Sequence, residues 1–123
     1  MKKVAIVILT DPDTPEGRGR MVHALYTANE LKAAQDDLKI VFDGIGVKWL
    51  DAFAKRDHPF TQHYGPIFDA VQDKIYGACN FCSKERFDVG DSVQELGYSF
   101  LGEDGKHHGL RELIVDEYQV ITF

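Results

Sequence analysis

Apolar and polar positions change period several times along this chain, and those changes divide it into elements. Lys3 to Leu9 (KVAIVIL) is an unbroken apolar run, short and β-branched, as expected of a strand covered on both faces. From Gly19 to Ala34 the period lengthens. Met21, Ala24, Leu25, Ala28 and Leu31 recur every three or four residues and predict a helix with one apolar stripe. Leu38 to Phe42 (LKIVF) reads as a second buried strand, closed by Asp43-Gly44. Strand, helix and strand in close succession form a βαβ unit, whose two strands run parallel.

A longer excursion follows. Val47, Leu50, Phe53 and Ala54 predict a short helix ending before His58-Pro59, and Tyr64, Ile67, Phe68 and Val71 predict another. Lys74 to Ala78 (KIYGA) is a third strand that ends at Cys79. Val89, Val93 and Leu96 mark a helix for Asp88 to cap and Gly97 to close. Tyr98 to Leu101 is a fourth strand; Leu110, Leu113 and Ile114 give a brief helix; Gln119 to Phe123 (QVITF) is a fifth strand. No repeat or low-complexity linker interrupts the alternation. The expectation is a single α/β domain over residues 1–123, three-layer α/β/α, with a largely parallel five-stranded sheet. Strand order is not encoded in this pattern. Sheets of this kind place their sites outside the carboxyl ends of the strands. The segments that qualify are Thr10–Arg18, Asp43–Gly46, Cys79–Cys82 and Gly102–His108.

Composition narrows the function. At 123 residues, 44% hydrophobic and 28% charged, the chain can bury one core of its own. No apolar run approaches the ~20 residues of a membrane span. The opening MKKVAIVILTDPD has the lysines and short apolar run of a signal peptide. It then breaks into acidic residues and proline without a small-residue cleavage site, which fits a buried strand in a cytoplasmic protein. A net charge of −6, with 20 acidic against 14 basic residues and no long basic cluster, argues against nucleic acid as a partner.

The two cysteines stand as Cys79-Asn80-Phe81-Cys82. Two thiols three residues apart cannot staple a domain, and a cytosolic setting keeps them reduced. Cys79 falls just past the third strand, where a helical turn through Ser83, Lys84 and Glu85 begins. Helix N-termini offer unpaired N–H groups and partial positive charge, which favour a thiolate and so sulfur chemistry. Lys84 and Arg86 add positive charge nearby, opposed by Glu85. Cys82, one helical turn on, is placed to resolve a disulfide or persulfide on Cys79. Plain burial of both thiols is the bland alternative. Zinc is a third: CxxC supplies two of four ligands, and His107 and His108 lie in the loop after the fourth strand, but adjacent histidines diverge. Thioredoxin chemistry is disfavoured, because the pair follows the third strand and no proline lies downstream of it.

Other signals are weaker. Gly17-Arg18-Gly19 opens the first helix, yet Val22 stands where a dinucleotide fingerprint needs its third glycine, and no Walker lysine is present. No cofactor is expected. Arg18 is expected either as part of a solvated first turn or reaching across the strand ends toward an anionic sulfur at Cys79. Trp49 with Phe53 reads as core or a subunit contact.

With these residues in place, the chain resembles the DsrE-like family of small α/β proteins related to sulfur-relay subunits. KVAIVILTDP is similar to the family's opening strand and loop, KIVFDGIGVKWL to its second strand and helix, and EYQVITF to its last strand. GACNFC falls where the family carries its cysteine, and GACNFCSKERFDVGDSVQELG resembles a subgroup with paired cysteines. The resemblance implies a DsrEFH-like fold, assembly into homo-oligomers such as trimers or hexamers, and a sulfur-accepting Cys79. The partners implied are small sulfur species or a sulfur-accepting protein. Cys79 and Cys82 are then the catalytic candidates, supported by Asn80, Arg18 and His107. Carriers of this kind often use one cysteine in this loop, so Cys82 is a departure: a neighbouring thiol can attack a persulfide and release hydrogen sulfide. The alternatives that stay open are a non-catalytic oligomeric binding module, a dithiol redox switch and a CxxC zinc site.

Overall fold

The computed structural model describes all residues from Met1 to Phe123. Five strands, β1 (Lys3–Ile8), β2 (Asp37–Phe42), β3 (Ile75–Cys79), β4 (Phe100–Leu101) and β5 (Gln119–Thr122), form one sheet in the order β4-β3-β2-β1-β5. Every neighbouring pair is parallel, with Ile6 opposite Ile40 on one side and Ile121 on the other. Five α-helices accompany them: α1 (Pro15–Ala33), α2 (Lys48–Ala54), α3 (Pro59–Val71), α4 (Gly90–Leu96) and α5 (Arg111–Val115).

Alternation along the strands assigns their side chains to two faces. Val4, Ile6, Ile8, Leu38, Ile40 and Phe42 pack under α1 to α4, together with the aromatic group of Trp49, Phe53, Phe60 and Phe68. Trp49 is fully buried, and its indole N–H donates to the carbonyl and hydroxyl oxygens of Thr10 at 3.1 and 3.2 Å. The other face, Ala5, Val7 and Val41, is closed by Leu113 of α5 with Leu101 and Tyr118. The result is a three-layer α/β/α protein with a thick and a thin helical layer. Beside the one short helix of the thin side, Lys39 lies over the rings of Tyr76 and Tyr118. No helix is long and apolar enough to cross a membrane.

Several boundaries differ from expectation for local reasons. Helix α1 starts at Pro15 instead of Gly19, since Thr14 caps it by accepting the Gly17 N–H at 3.0 Å. Gly17 itself is a packing requirement: a Cβ there would lie 1.9 Å from the Asp11 carbonyl oxygen. That explains the glycine without any phosphate. Asp88 does not cap α4; it adopts φ +50°, and Val89 flanks the helix without a side-chain cap. The preceding turn sets this geometry by drawing the Val89 N–H onto the Ser83 carbonyl at 2.7 Å. Gly97 closes α4 in the left-handed region at φ +83°. The Tyr98 N–H then returns to the Val93 carbonyl, which holds Tyr98 out of the sheet and shortens β4 to two residues.

Candidate functional site

Strands β1, β2 and β3 all lead into helices on the thick face, whereas β4 leads to α5 on the thin face. Connections therefore diverge between the adjacent strands β3 and β4, and open α/β sheets put their sites at such a switch point. Cys79 is the last residue of β3 and pairs with Leu101, the last of β4. Two loops start from this pair, one carrying Cys82 and the other His107 and His108.

The first loop is a helical turn from Asn80 that widens over Cys82–Arg86, where the Phe87 N–H reaches back five residues to the Cys82 carbonyl. Such a widened turn often marks a functional site. The second loop, Gly102 to His108, folds over the first. Gly102 (φ +88°) and Gly105 (φ +74°) turn it, the Phe81 N–H donates to the Lys106 carbonyl at 3.2 Å, and Lys84 pairs with Asp104 at 2.9 Å. The Phe81 ring lies against His107, centroids 4.4 Å apart. Nδ1 of His107 then sits 3.5 Å from Cys82 Sγ and 3.8 Å from Cys79 Sγ, and the His108 N–H donates to Cys79 Sγ at 3.4 Å.

Burial dominates the electrostatics. Cys79 is 0% exposed and Cys82 2%, while His107 above them is exposed. The strand-end position led toward an accessible site for Cys79, but the folded-over loop seals it, as the alternative of plain burial has it. The positive field also comes from an unexpected place. The backbone donor that reaches Cys79 belongs to His108 on the opposite loop, and Lys84 is spent on Asp104 and on the Phe100 ring. Burial and hydrogen bonding to Cys79 push the Cys82 thiol up to about 11, so Cys82 holds its proton at neutral pH.

Of the supporting candidates, Asn80 is buried beside the pair and donates from Nδ2 to Asp104 at 3.2 Å. Arg18 is not brought to the site. Its guanidinium donates to the Pro12 carbonyl at 3.1 Å, because α1 leaves from β1, and β2 lies between β1 and β3. The sequence reading passed over Glu112, and it met Asp43 only as a turn residue and His108 only as a zinc alternative. Asp43 follows β2, and burial raises its carboxyl above the usual range, with His108 and Cys79 opposing that rise. The buried His108 side chain places Nε2 3.0 Å from Glu112 and Nδ1 3.7 Å from Asp43. Glu112 lies four residues after His108, a helical spacing the sequence offered as a signal; Asp43 offered none beyond its place at a strand end.

Fold and cluster together define an α/β protein with a buried dithiol and a histidine at the switch point of a parallel sheet. No family model matches the chain. It is 32% identical over 104 residues to the uncharacterised protein MJ0733 of Methanocaldococcus jannaschii, covering 82% of this chain and 78% of that one. The chain belongs to the family of that archaeal protein. A solved structure, the conserved protein of unknown function BT1422 from Bacteroides thetaiotaomicron, superposes with a TM-score of 0.60 at 24% identity, over 97% of this chain and 94% of the other. That likeness concerns the fold.

Proposed function

We propose that this is a DsrE-like sulfur-transfer protein of the cytoplasm in which Cys79 accepts sulfur as a persulfide and passes it to a partner. The observation that carries the reading is the set of groups turned onto Cys79 Sγ at a strand end: the His108 N–H at 3.4 Å, His107 Nδ1 at 3.8 Å and the Cys82 thiol. A backbone N–H and the Cys82 thiol are thus both placed to hydrogen-bond to sulfur on Cys79. In the first step the Cys79 thiolate attacks the outer sulfur of a donor persulfide. The donor's S–S bond breaks, its thiolate leaves, and a new S–S bond forms on Cys79 without net oxidation. An acceptor thiolate then takes that outer sulfur in the same way. Because Cys79 is sealed, the loop Gly102–His108 has to lift for donor and acceptor.

Cys82 provides a second exit. Its thiolate can attack Cys79 Sγ, forming a disulfide and expelling hydrosulfide, after which a dithiol reductant restores the pair. While the loop is closed, burial and the Cys79 hydrogen bond push the Cys82 thiol up to about 11 and keep its proton on, which disfavours this exit. Assembly into trimers or hexamers belongs to the same reading.

The test is intact mass after exposing reduced, metal-free protein to a small-molecule persulfide. The wild type is expected to gain one sulfur and Cys82→Ser to hold it at least as long. Equal gain by Cys79→Ser would end the reading.

A further inference from the structure

The loops after β3 and β4 bring three potential metal ligands together: the Sγ atoms of Cys79 and Cys82 and Nδ1 of His107 all lie within 4.8 Å of one another. Their spacing is informative. Zinc bonds of about 2.3 Å to sulfur and about 2.0–2.1 Å to nitrogen, at tetrahedral angles, put a sulfur and a nitrogen ligand about 3.5 Å apart. The two sulfur–nitrogen separations here are 3.5 and 3.8 Å. A cation can therefore take its place among these atoms with shifts of only a few tenths of an ångström along those edges. We propose that Cys79, Cys82 and His107 form a Cys₂His site for a thiophilic divalent cation, zinc above all, with the fourth position open to an exogenous ligand.

Three features of the fold support this beyond the spacing. Cys79 is fixed at the end of β3 opposite Leu101, and in the closed form the loop bearing His107 is pinned over it by the Phe81 N–H on the Lys106 carbonyl and the His108 N–H on Cys79 Sγ. The adjacent histidines divide their tasks. His108 turns its ring inward to Asp43 and Glu112, which leaves His107 as the single imidazole facing the sulfurs. That resolves the objection that neighbouring histidines diverge, since one is enough. Finally, the histidine is exposed while both sulfurs are buried, so an ion held by the three would face solvent on the imidazole side and the protein interior on the sulfur side. Three protein ligands and one open position is the pattern of reactive zinc sites, in contrast to closed structural ones. This inference does not depend on sulfur transfer. It implies that bound metal withdraws the Cys79 thiolate from attack, so occupancy and sulfur loading exclude each other.

Titrating Co²⁺ into reduced, metal-free protein, followed by displacement with Zn²⁺, tests it. The expected result is a thiolate-to-cobalt charge-transfer band with the strong visible bands of a tetrahedral ion, saturating at one ion per chain and abolished by zinc. His107→Gln should keep the fold, checked by circular dichroism, because this side chain is exposed. Its affinity should fall by at least the roughly 10–100-fold that loss of even an outer-shell partner costs. Absence of the tetrahedral signature in the wild type, or an unchanged affinity in His107→Gln, overturns the proposal. Cobalt binding without persulfide loading would leave this inference standing and remove the sulfur-transfer reading; loading without cobalt binding would do the reverse.

Discussion

Replacing Cys82 with serine is expected to remove an alkaline loss of stability that the wild type shows. The Cys82 thiol is raised from 9.0 to about 11 in the folded chain, with burial as the largest cause and the hydrogen bond to Cys79 next. A group whose folded value lies above its unfolded value holds its proton more tightly in the native state. Its contribution is complete below the unfolded value and is lost as pH rises toward the folded one, here between about 9 and about 11. At about pH 10.5 the loss relative to about pH 8 comes to about 2 kcal/mol. With a urea slope of about 2 kcal/mol per molar for a chain of this size, the unfolding midpoint moves by about 1 M. Tyr98, half-buried and bonded to Gln72, also titrates at alkaline pH, pushed up to about 12. The measurement is therefore a difference, urea unfolding of wild type and Cys82→Ser at both pH values, with reductant and chelator present. Cys79→Ser should retain part of the wild-type loss, because burial, the largest cause, does not depend on Cys79. Equal alkaline losses in wild type and Cys82→Ser would show that the fold does not hold the Cys82 proton, and the argument for a disfavoured hydrosulfide exit would fail with it.

Two further substitutions probe the frame. At Gly46, a Cβ would stand 2.1 Å from the Ile8 carbonyl oxygen and 2.7 Å from its carbon, both backbone atoms that cannot swing aside. Gly46→Ala is expected to cost about 3 kcal/mol or more and lower the melting temperature by about 10 °C; a shift under about 3 °C would mean that the β1 and β2 ends are not so closely apposed. Arg18→Ala should leave persulfide loading of Cys79 unchanged, because the guanidinium is engaged with the Pro12 carbonyl; a large loss in the mass assay would place Arg18 back at the site.

Local periodicity was enough to read the succession of strands and helices, the parallel pairing of β1 with β2 and the placing of Cys79 at a strand end. These properties depend on neighbours in sequence: a period of two or of 3.6 residues, and a crossover of one helix between two apolar runs. The limits of that reading show at particular residues. Asp88 carries the composition of a helix cap, but a widened turn set by the hydrogen bonds of Ser83 and Cys82 overrides it. Gly17 carries the look of a phosphate loop, yet its glycine answers to one carbonyl at Asp11.

What the chain pattern alone determined, then, is an alternating α/β protein with two thiols on a turn after its third strand. Strand order was decided only by the assembled sheet, since it depends on which apolar faces bury one another across the whole chain. That order sets β4 beside β3, with β2 and β1 between β3 and β5, so it brings His107 and His108 to the cysteines, draws Asp43 in from β2 and leaves Arg18 on the far side. It also seals the sulfurs, because the β4 loop closes over the end of the strand that carries them. The reactive types were legible one by one; their meeting is a property of the fold, where residues 25 to 29 positions apart come within hydrogen-bonding range.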